Sequence, residues 1–341
     1  MEKDLYNRIR MVIMSRKADE TRGWQETQNK IYQLRKKRKV RFWSAAASVA
    51  AVAIISLFVF YPNQKDITSL HAVNADPGKN QAVLIMSDGS SVSLTDSSDT
   101  KLVDASGAEI SVEKGKNISY GNSLTKSEKI SINTIVVPRS GFYSVTLSDE
   151  TKVWINSESR FSYPVRFNGD KREVTLSGEA YFEVAKDNKH PFVVNCNGNK
   201  VVVTGTRFNL NSYDQDRTVT TLIEGSVIFS GLSGSMPMTP GMQATISTEG
   251  ISVKMVEPAP FASWKDGFFE FNDLSLGEIV KILSRWYDVD FEFSNPQIAG
   301  VTFTATFPKD ENLSFIITLL ERISSARFAP SGDKVVVSSN Q

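Results

Sequence analysis

The sequence has little of the chemistry that disulfides, metal sites and covalent catalysis require. It contains one cysteine, Cys196, which cannot form an internal disulfide. Its two histidines, His71 and His190, are too far apart in the chain to be read as a metal pair by spacing. The motifs HExxH, GxSxG, CxxC and the P-loop are absent. We therefore predict no catalytic residues, no metal site and no cofactor.

Glu179 and Glu183 are the carboxylates that come nearest to a catalytic arrangement. They alternate onto one face of a predicted strand, as the carboxylate pairs of glycosidases do on other scaffolds. A solvated sheet face accounts for the same spacing, because lysines lie nearby and no pocket is indicated. We favour that interpretation and predict that the protein is not an enzyme.

Residues 42–61 contain no charged side chain. An α-helix rises about 1.5 Å per residue, so this run is long enough to cross a hydrocarbon core about 30 Å thick. Six of the seven residues at 35–41 are Lys or Arg, and such charge marks the cytoplasmic side. A cleaved signal peptide would have a brief basic region and a small-residue cleavage site, and a core helix would rarely lack charge for so long. We predict one transmembrane helix at 42–61, with residues 1–41 in the cytoplasm.

Charge differs between the two sides of this span. Residues 1–41 hold 13 Lys and Arg against 5 Asp and Glu, which leaves 26 against 33 in the remainder. A basic inner arm suits a membrane surface, whereas the basic run at 35–41 has no interleaved aromatic residues as nucleic-acid binding would require. Forty residues cannot build an independent core. The arm is therefore either a tail on anionic lipid or an amphipathic segment that folds onto a cytoplasmic partner, through the apolar residues Leu5, Ile9, Val12, Ile13 and Trp24.

The outer part of the chain reads as a linker followed by two domains. Residues 62–76 form the linker, and residues 77–256 contain many short apolar runs separated by turns, typical of an all-β sandwich or a solenoid-like stack. Asp88-Gly89 and Asp149-Glu150 mark two hairpins, of which the second needs a residue tolerant of positive φ. Two prolines near residue 260 mark a boundary.

Residues 257–341 are predicted to form a small α+β module of order βα-ββα-β. Ser275 and Glu278 form a capping box ahead of a helix with apolar residues Leu276, Ile279, Val280 and Leu283. A second amphipathic helix begins at Leu313. A module without a pocket-forming insert is a poor enzyme and a plausible docking domain.

Several ordered stretches resemble FecR-type transmembrane anti-sigma regulators. They are VTLSD at 145–149, KVWIN at 152–156, REVTLSGEAYFEV at 172–184, HPFVV at 190–194, TGTRFNL at 204–210 and TLIEG at 221–225. The terminal module resembles the small domain that follows FecR domains in Bacteroidetes, which is similar to the short N-terminal domain of secretins and TonB-dependent receptors. With the anchor, the resemblance covers nearly all of residues 35–341.

The resemblance implies a relay across the bacterial inner membrane. A TonB-dependent outer-membrane receptor would contact the periplasmic part, and the inner arm would then act on an extracytoplasmic-function (ECF) sigma factor. An intramembrane protease is a further implied partner. For the receptor's signalling domain we expect an edge strand at 301–307, including Val301, Phe303 and Phe307, to pair by strand addition. The inner arm is about half the length usual in the family, which leaves the sign of regulation open.

An alternative is a membrane-anchored periplasmic glycan-binding or adhesion protein without a sigma partner. It would require an exposed row of aromatic residues. The candidates, Trp154, Tyr163, Phe167, Tyr181 and Phe182, are in predicted strands where core packing explains them more simply.

Overall fold

The structure is a computed structural model that describes residues 73–95, 100–103, 107, 109–113, 117–120, 131–231 and 234–339. The predicted arm, the predicted transmembrane helix and most of the linker lie outside these residues. Within the described part of the chain, no helix is long and apolar enough to cross a membrane. The single-pass topology therefore stays a prediction.

Most of the described chain forms two β-sheets. Sheet I consists of β1 (Lys79–Asn80), β4 (Thr100–Val103), β5 (Glu109–Glu113), β6 (Asn117–Tyr120), β8 (Gly141–Thr146), β9 (Lys152–Ile155), β12 (Glu179–Glu183), β15 (Arg207–Asp214), β16 (Arg217–Glu224), β19 (Met242–Ser247) and β20 (Gly250–Met255). Sheet II consists of β2 (Ala82–Ile85), β3 (Ser91–Leu94), β7 (Ile132–Val137), β10 (Ser159–Pro164), β11 (Arg172–Ser177), β13 (Phe192–Cys196), β14 (Asn199–Val203), β17 (Val227–Gly231) and β18 (Gly234–Met238).

From β7 onward the chain adds one or two strands to each sheet in alternation. The order in sheet I is β20-β19-β16-β15-β12-β9-β8-β6-β5-β4, and in sheet II it is β18-β17-β14-β13-β11-β10-β7-β2-β3. β1 pairs in parallel with β8. This alternation explains the regular spacing of strands and turns along the sequence.

One hydrophobic core lies between the two sheets. Phe161 and Phe192 point into it from sheet II, and Phe182 and Phe208 point into it from sheet I. The Phe182 ring lies 6.0 Å from that of Phe161 and 6.3 Å from that of Phe192, which are edge contacts across the two sheets. The domain is therefore a β-sandwich, and the prediction of a mainly β fold is confirmed.

The two hairpins predicted from turn residues are both present. β2 pairs with β3 around Gly89, which has φ 85°, and β8 pairs with β9 around Glu150, which has φ 69°. Glycine adopts positive φ without a steric cost, whereas Glu150 does so with Cβ strain. Asp149 caps this turn, because its carboxylate accepts hydrogen bonds from the amide and hydroxyl of Thr151.

The C-terminal module follows two short 3-10 helices, Ala259–Phe261 and Ser263–Asp266. Its elements are β21 (Phe268–Ser275), α1 (Leu276–Tyr287), β22 (Asp290–Phe293), a 3-10 helix (Pro296–Gly300), β23 (Thr302–Pro308), α2 (Leu313–Arg322), β24 (Ala326–Ser331) and β25 (Lys334–Ser339). β21 pairs with β23, and β22, β25 and β24 form a three-stranded sheet in that order.

The local signals in this module are confirmed, and one strand was missed. The Ser275 hydroxyl accepts a hydrogen bond from the Glu278 amide, as a capping box requires, and the predicted apolar face of α1 is buried. The predicted order ended with one strand after the second helix, whereas the structure has two. β24 was missed because Pro330 and Ser331 interrupt its alternation, and it forms by pairing with β25.

Candidate functional site

The five residues predicted to contact a sigma factor lie outside the described residues. The prediction of a sigma-factor contact therefore rests only on the sequence, that is on the spacing and charge context of Leu5, Ile9, Val12, Ile13 and Trp24. The described candidate is the C-terminal module, with its open strand edge and its junction with the sandwich.

β23 is an edge strand within the described structure. It pairs with β21 along one side, and no other described strand is hydrogen-bonded to it. Phe303 and Phe307 are buried, and Val301, just before the strand, is 38% exposed. The two phenylalanines therefore anchor β23 to the module, and a partner would meet the backbone edge and the exposed Thr302 and Thr304.

The other three edges of the module are less open to strand pairing. β21, the second strand of the same two-stranded sheet, carries Glu270 and Asp273 and has a bulge between Phe271 and Leu274. In β24, the amide of Phe328 already donates to the Glu321 carboxylate at 2.7 Å. β22 is four residues long and carries Asp290 and Glu292. Natural edge strands commonly avoid unwanted pairing through charge, proline or brevity. β23 is seven residues long and has no charged side chain.

The module contacts the sandwich through a reciprocal pair of arginines. Arg139, in the turn between β7 and β8, reaches the C-terminal end of α1. Its Nη2 donates to the carbonyl and hydroxyl of Ser284 at 3.0 and 2.9 Å. The same guanidinium forms ion pairs with Asp288 at 2.9 Å and Asp290 at 2.8 Å. A cation at this end of a helix also interacts favourably with the helix dipole.

Arg285 makes the opposite connection, from the module to the sandwich. Its guanidinium carbon lies 3.7 Å from the ring centre of Tyr213, and its Nε lies 3.4 Å from Glu158 Oε2. The carbonyl of Arg285 accepts a hydrogen bond from the Ser140 amide at 2.7 Å. The two arginines thus tie the last turn of α1 to neighbouring turns of the sandwich.

Lys309 is buried at the same junction, with 4% of its surface exposed. Its Nζ lies 3.7 Å from the ring centre of Trp286 and 5.5 to 5.7 Å from three further aromatic rings, those of Phe142, Trp264 and Phe269. Burial lowers the pKa of Lys309 to about 7, and the negative charge of Glu179 partly opposes this shift. The aromatic rings attract an ammonium by cation–π interaction.

The segment that contains β1 and leads into β2 is held at this junction as well. We call residues 75–81 the lead-in segment. The Ala75 carbonyl accepts a hydrogen bond from the Leu313 amide at 3.0 Å, and the Lys79 amide donates to the Ser140 carbonyl at 2.8 Å. A Cβ on Gly78 would lie 2.7 Å from the Trp286 ring, so only glycine permits this approach.

Glu179 and Glu183 do not form a glycosidase-like pair. Four strand residues separate their backbones by roughly 13 Å, whereas such pairs stand about 5–9.5 Å apart. Glu179 accepts hydrogen bonds from the amide groups of Asn156 and Asn209, and Glu183 lies 3.9 Å from Arg207. In the described residues, no group of three or more His, Cys, Asp or Glu side chains is placed to hold a metal ion.

The five aromatic residues on which the adhesion alternative depends do not form an exposed row. Tyr163 and Phe182 lie in the sandwich core, and Phe167 packs against it. Tyr181 is 3% exposed and makes an edge contact with the Trp154 ring at 5.7 Å. These residues therefore offer no stacking surface for a sugar.

Sequence reasoning missed the junction residues Arg139, Arg285 and Lys309. No motif marks any of the three in the sequence, and their partners are as far as 151 positions away. The one local signal was Pro77-Gly78 ahead of the first strand, which indicates a turn and not a contact with Trp286.

Two family models match this chain. The model described as FecR protein matches residues 133–228, and the model described as FecR, C-terminal, matches residues 268–337. The first match covers the middle of the sandwich, and the second covers most of the C-terminal module. No curated protein sequence matches the chain.

Two crystal structures of a protein described as a "putative anti-sigma factor" from Parabacteroides distasonis ATCC 8503, at 1.65 and 2.50 Å resolution, are similar to this one. Both have a TM-score of 0.57 and 23% sequence identity to this chain. The matches cover 61% and 62% of this chain and 99% and 100% of those chains. At this identity the similarity shows a shared fold.

Proposed function

The chain belongs to the FecR family, and from this membership we propose that it is an anti-sigma regulator anchored in the bacterial inner membrane. It relays a signal from a TonB-dependent outer-membrane receptor to a cytoplasmic ECF sigma factor by protein–protein contact. The observation that carries the proposal is that the sandwich and the module both match FecR models, in that order along the chain. The membrane anchor and the N-in orientation rest on the charge-free run at 42–61 and the basic residues before it.

On the cytoplasmic side, the contact with the sigma factor is assigned to the apolar face of residues 5–13 and to Trp24. The arm is too short to bury this face by itself, so a partner must supply the groove. Replacing Ile9 and Ile13 by Asp places two charges on that face and should abolish co-purification with the sigma factor. Replacing Asn7 and Gln33 by Asp adds the same charge to the arm, on the side of a helix opposite the proposed contact residues, and serves as the control. Unchanged co-purification of the Ile9 and Ile13 variant would exclude this contact.

On the periplasmic side, the receptor's signalling domain is proposed to add a strand to β23. Among the edge strands of the module, β23 is the one without a charged side chain, and it ends at Pro308, which limits the pairing register. Thr302 and Thr304 are exposed on β23, but the Thr304 hydroxyl accepts a hydrogen bond from the Asp273 amide at 3.0 Å. Replacing Thr302 therefore changes the edge without breaking that bond or emptying the module core.

The docking proposal is tested by measuring binding of the full chain in detergent to the purified signalling domain. Thr302→Lys should weaken binding about tenfold or more, because a charged edge opposes strand pairing. Thr175→Lys, on the exposed face of β11, makes the same change on a different sheet and is the control. Equal affinity of both variants and the native protein would rule out β23 as the docking edge.

The regulatory role itself is tested by transcription of sigma-dependent transport genes in three strains: intact protein, full deletion, and residues 1–41 alone. Raised expression in the deletion strain supports an anti-sigma role. Loss of expression that the arm alone restores supports a co-activator released from the membrane. No change in any strain would contradict sigma regulation and favour the binding or adhesion alternative.

A further inference from the structure

The lead-in segment is held from two sides, and only one of them belongs to the sandwich. Its paired strand, β1, is two residues long, and the remaining sandwich contacts are the bonds of Lys79 and Gln81 to Ser140 and Phe142. The module supplies the rest through the Leu313 amide and the Trp286 ring. A two-residue strand is a weak attachment by itself, so the module contributes a large part of the hold.

The same residues serve both the module and the lead-in segment. The Ser140 amide donates to the Arg285 carbonyl in the module, while the Ser140 carbonyl accepts from the Lys79 amide and the Gln81 side chain. Trp286 contacts Gly78 on one side and the ammonium of Lys309 on the other. A displacement of α1 therefore removes partners from the lead-in segment directly, without an intervening chain of residues.

The contacts that fix the module are suited to reversible opening. Arg139 is 29% exposed in its side chain, and its partners Asp288 and Asp290 are 60% and 58% exposed. Partly exposed ion pairs contribute little each and are screened by salt. The sandwich core and the module core are separate from these pairs. Opening the junction must also break the buried contacts of Lys309 with Phe142 and of Arg285 with Tyr213, while both cores stay folded.

We propose that docking of the C-terminal module on the sandwich locks the lead-in segment, residues 75–81, and that release of the module frees it. This segment connects the sandwich to the residues that precede it, so its release transmits the state of the module toward the N-terminal part of the chain. The proposal deepens the proposed relay and rests on it for the direction of the signal. The coupling between module docking and the hold on the lead-in segment requires no partner protein.

Thermodynamic linkage makes the coupling testable from both ends, because each contact must affect the other equally. We would measure hydrogen exchange of the full chain in detergent micelles, by mass spectrometry of peptides from the lead-in segment, α1 and the sandwich core. Arg139→Ala perturbs the module contact, and Gly78→Ala perturbs the segment by placing a methyl group against Trp286.

Each variant should accelerate exchange about tenfold in both the lead-in segment and the last turn of α1, since each loses charge-assisted or close contacts at the junction. Exchange in β13 and β14, in sheet II, should stay as in the native protein. Arg160→Ala, an exposed arginine on β10, and Gly169→Ala, whose Cβ would meet no atom closer than 4.0 Å, are the matched controls.

Acceleration confined to the perturbed contact would overturn the proposal, and so would equal acceleration throughout the sandwich, which would signify global unfolding. The measurement needs neither receptor nor sigma factor. Its failure therefore leaves the proposed relay standing, and failure of the transcription experiment leaves the coupling standing.

Discussion

The stability of the protein should depend on pH through Lys309, because the ammonium group of this residue is buried among four aromatic rings. Burial lowers the pKa of Lys309 from its usual 10.5 to about 7. The unfolded chain restores the usual pKa, so unfolding takes up a proton between about pH 7 and pH 10.5. The free energy of unfolding must therefore rise with pH in this window and be insensitive to this group below it.

The magnitude follows from the two pKa values. Each unit of pKa difference is worth about 1.4 kcal/mol when fully expressed. Between pH 7 and pH 9 the Lys309 contribution to the free energy of unfolding should rise by about 2 kcal/mol. This is an upper limit, because the Trp286 ring favours the charged form.

The assay is urea unfolding of the full chain in detergent from pH 6 to pH 9, followed by tryptophan fluorescence. Lys309→Met keeps an unbranched side chain, shorter by one atom, and removes the titrating group. The difference in unfolding free energy between native protein and variant should change by about 2 kcal/mol over this range, while Lys281→Met, an exposed lysine on α1, should change nothing. A constant difference between native protein and Lys309→Met would refute the reasoning.

Three further predictions concern the sandwich and the module core. Asp149→Ala should lower the free energy of unfolding in urea by about 3–5 kcal/mol, because the buried Arg172 loses the carboxylate that lies 2.6 Å from it. A decrease as small as that of a surface substitution would contradict this. Glu150→Gly should stabilise the protein by up to about 1 kcal/mol by relieving a positive φ, and lower stability would show that the turn is not strained. Phe307→Ala should cost about 3–5 kcal/mol and increase exchange throughout the module, whereas native-like exchange there would show that Phe307 does not hold β23.

Local signals predicted most of the elements correctly, because their causes lie within a few residues. The hairpin at Gly89 needs only positive φ between two apolar runs, and the start of α1 needs only Ser275 and Glu278. Helical and strand periodicity placed the buried face of α1 and the alternation of β23. β24 was missed because its strand state depends on β25 and not on its own residues.

The candidate site was predictable only in outline. An edge strand at 301–307 could be named from alternation, but its free edge became visible only when the pairing with β21 was known. Phe303 and Phe307 were named as contact residues, and the structure places both in the module core. Alternation identifies two faces of a strand, and which face is buried depends on what packs against it.

The sequence by itself determined the family and the mainly β and α+β character of the outer domains, because each depends on composition or on contiguous motifs; the membrane span stays a prediction from composition. Only the tertiary structure decided that the strands form one two-sheet sandwich and that Arg139, Arg285 and Lys309 meet at a junction. These are contacts between residues far apart in the chain. No local pattern encodes such contacts, since their energy is realised only after both domains have folded.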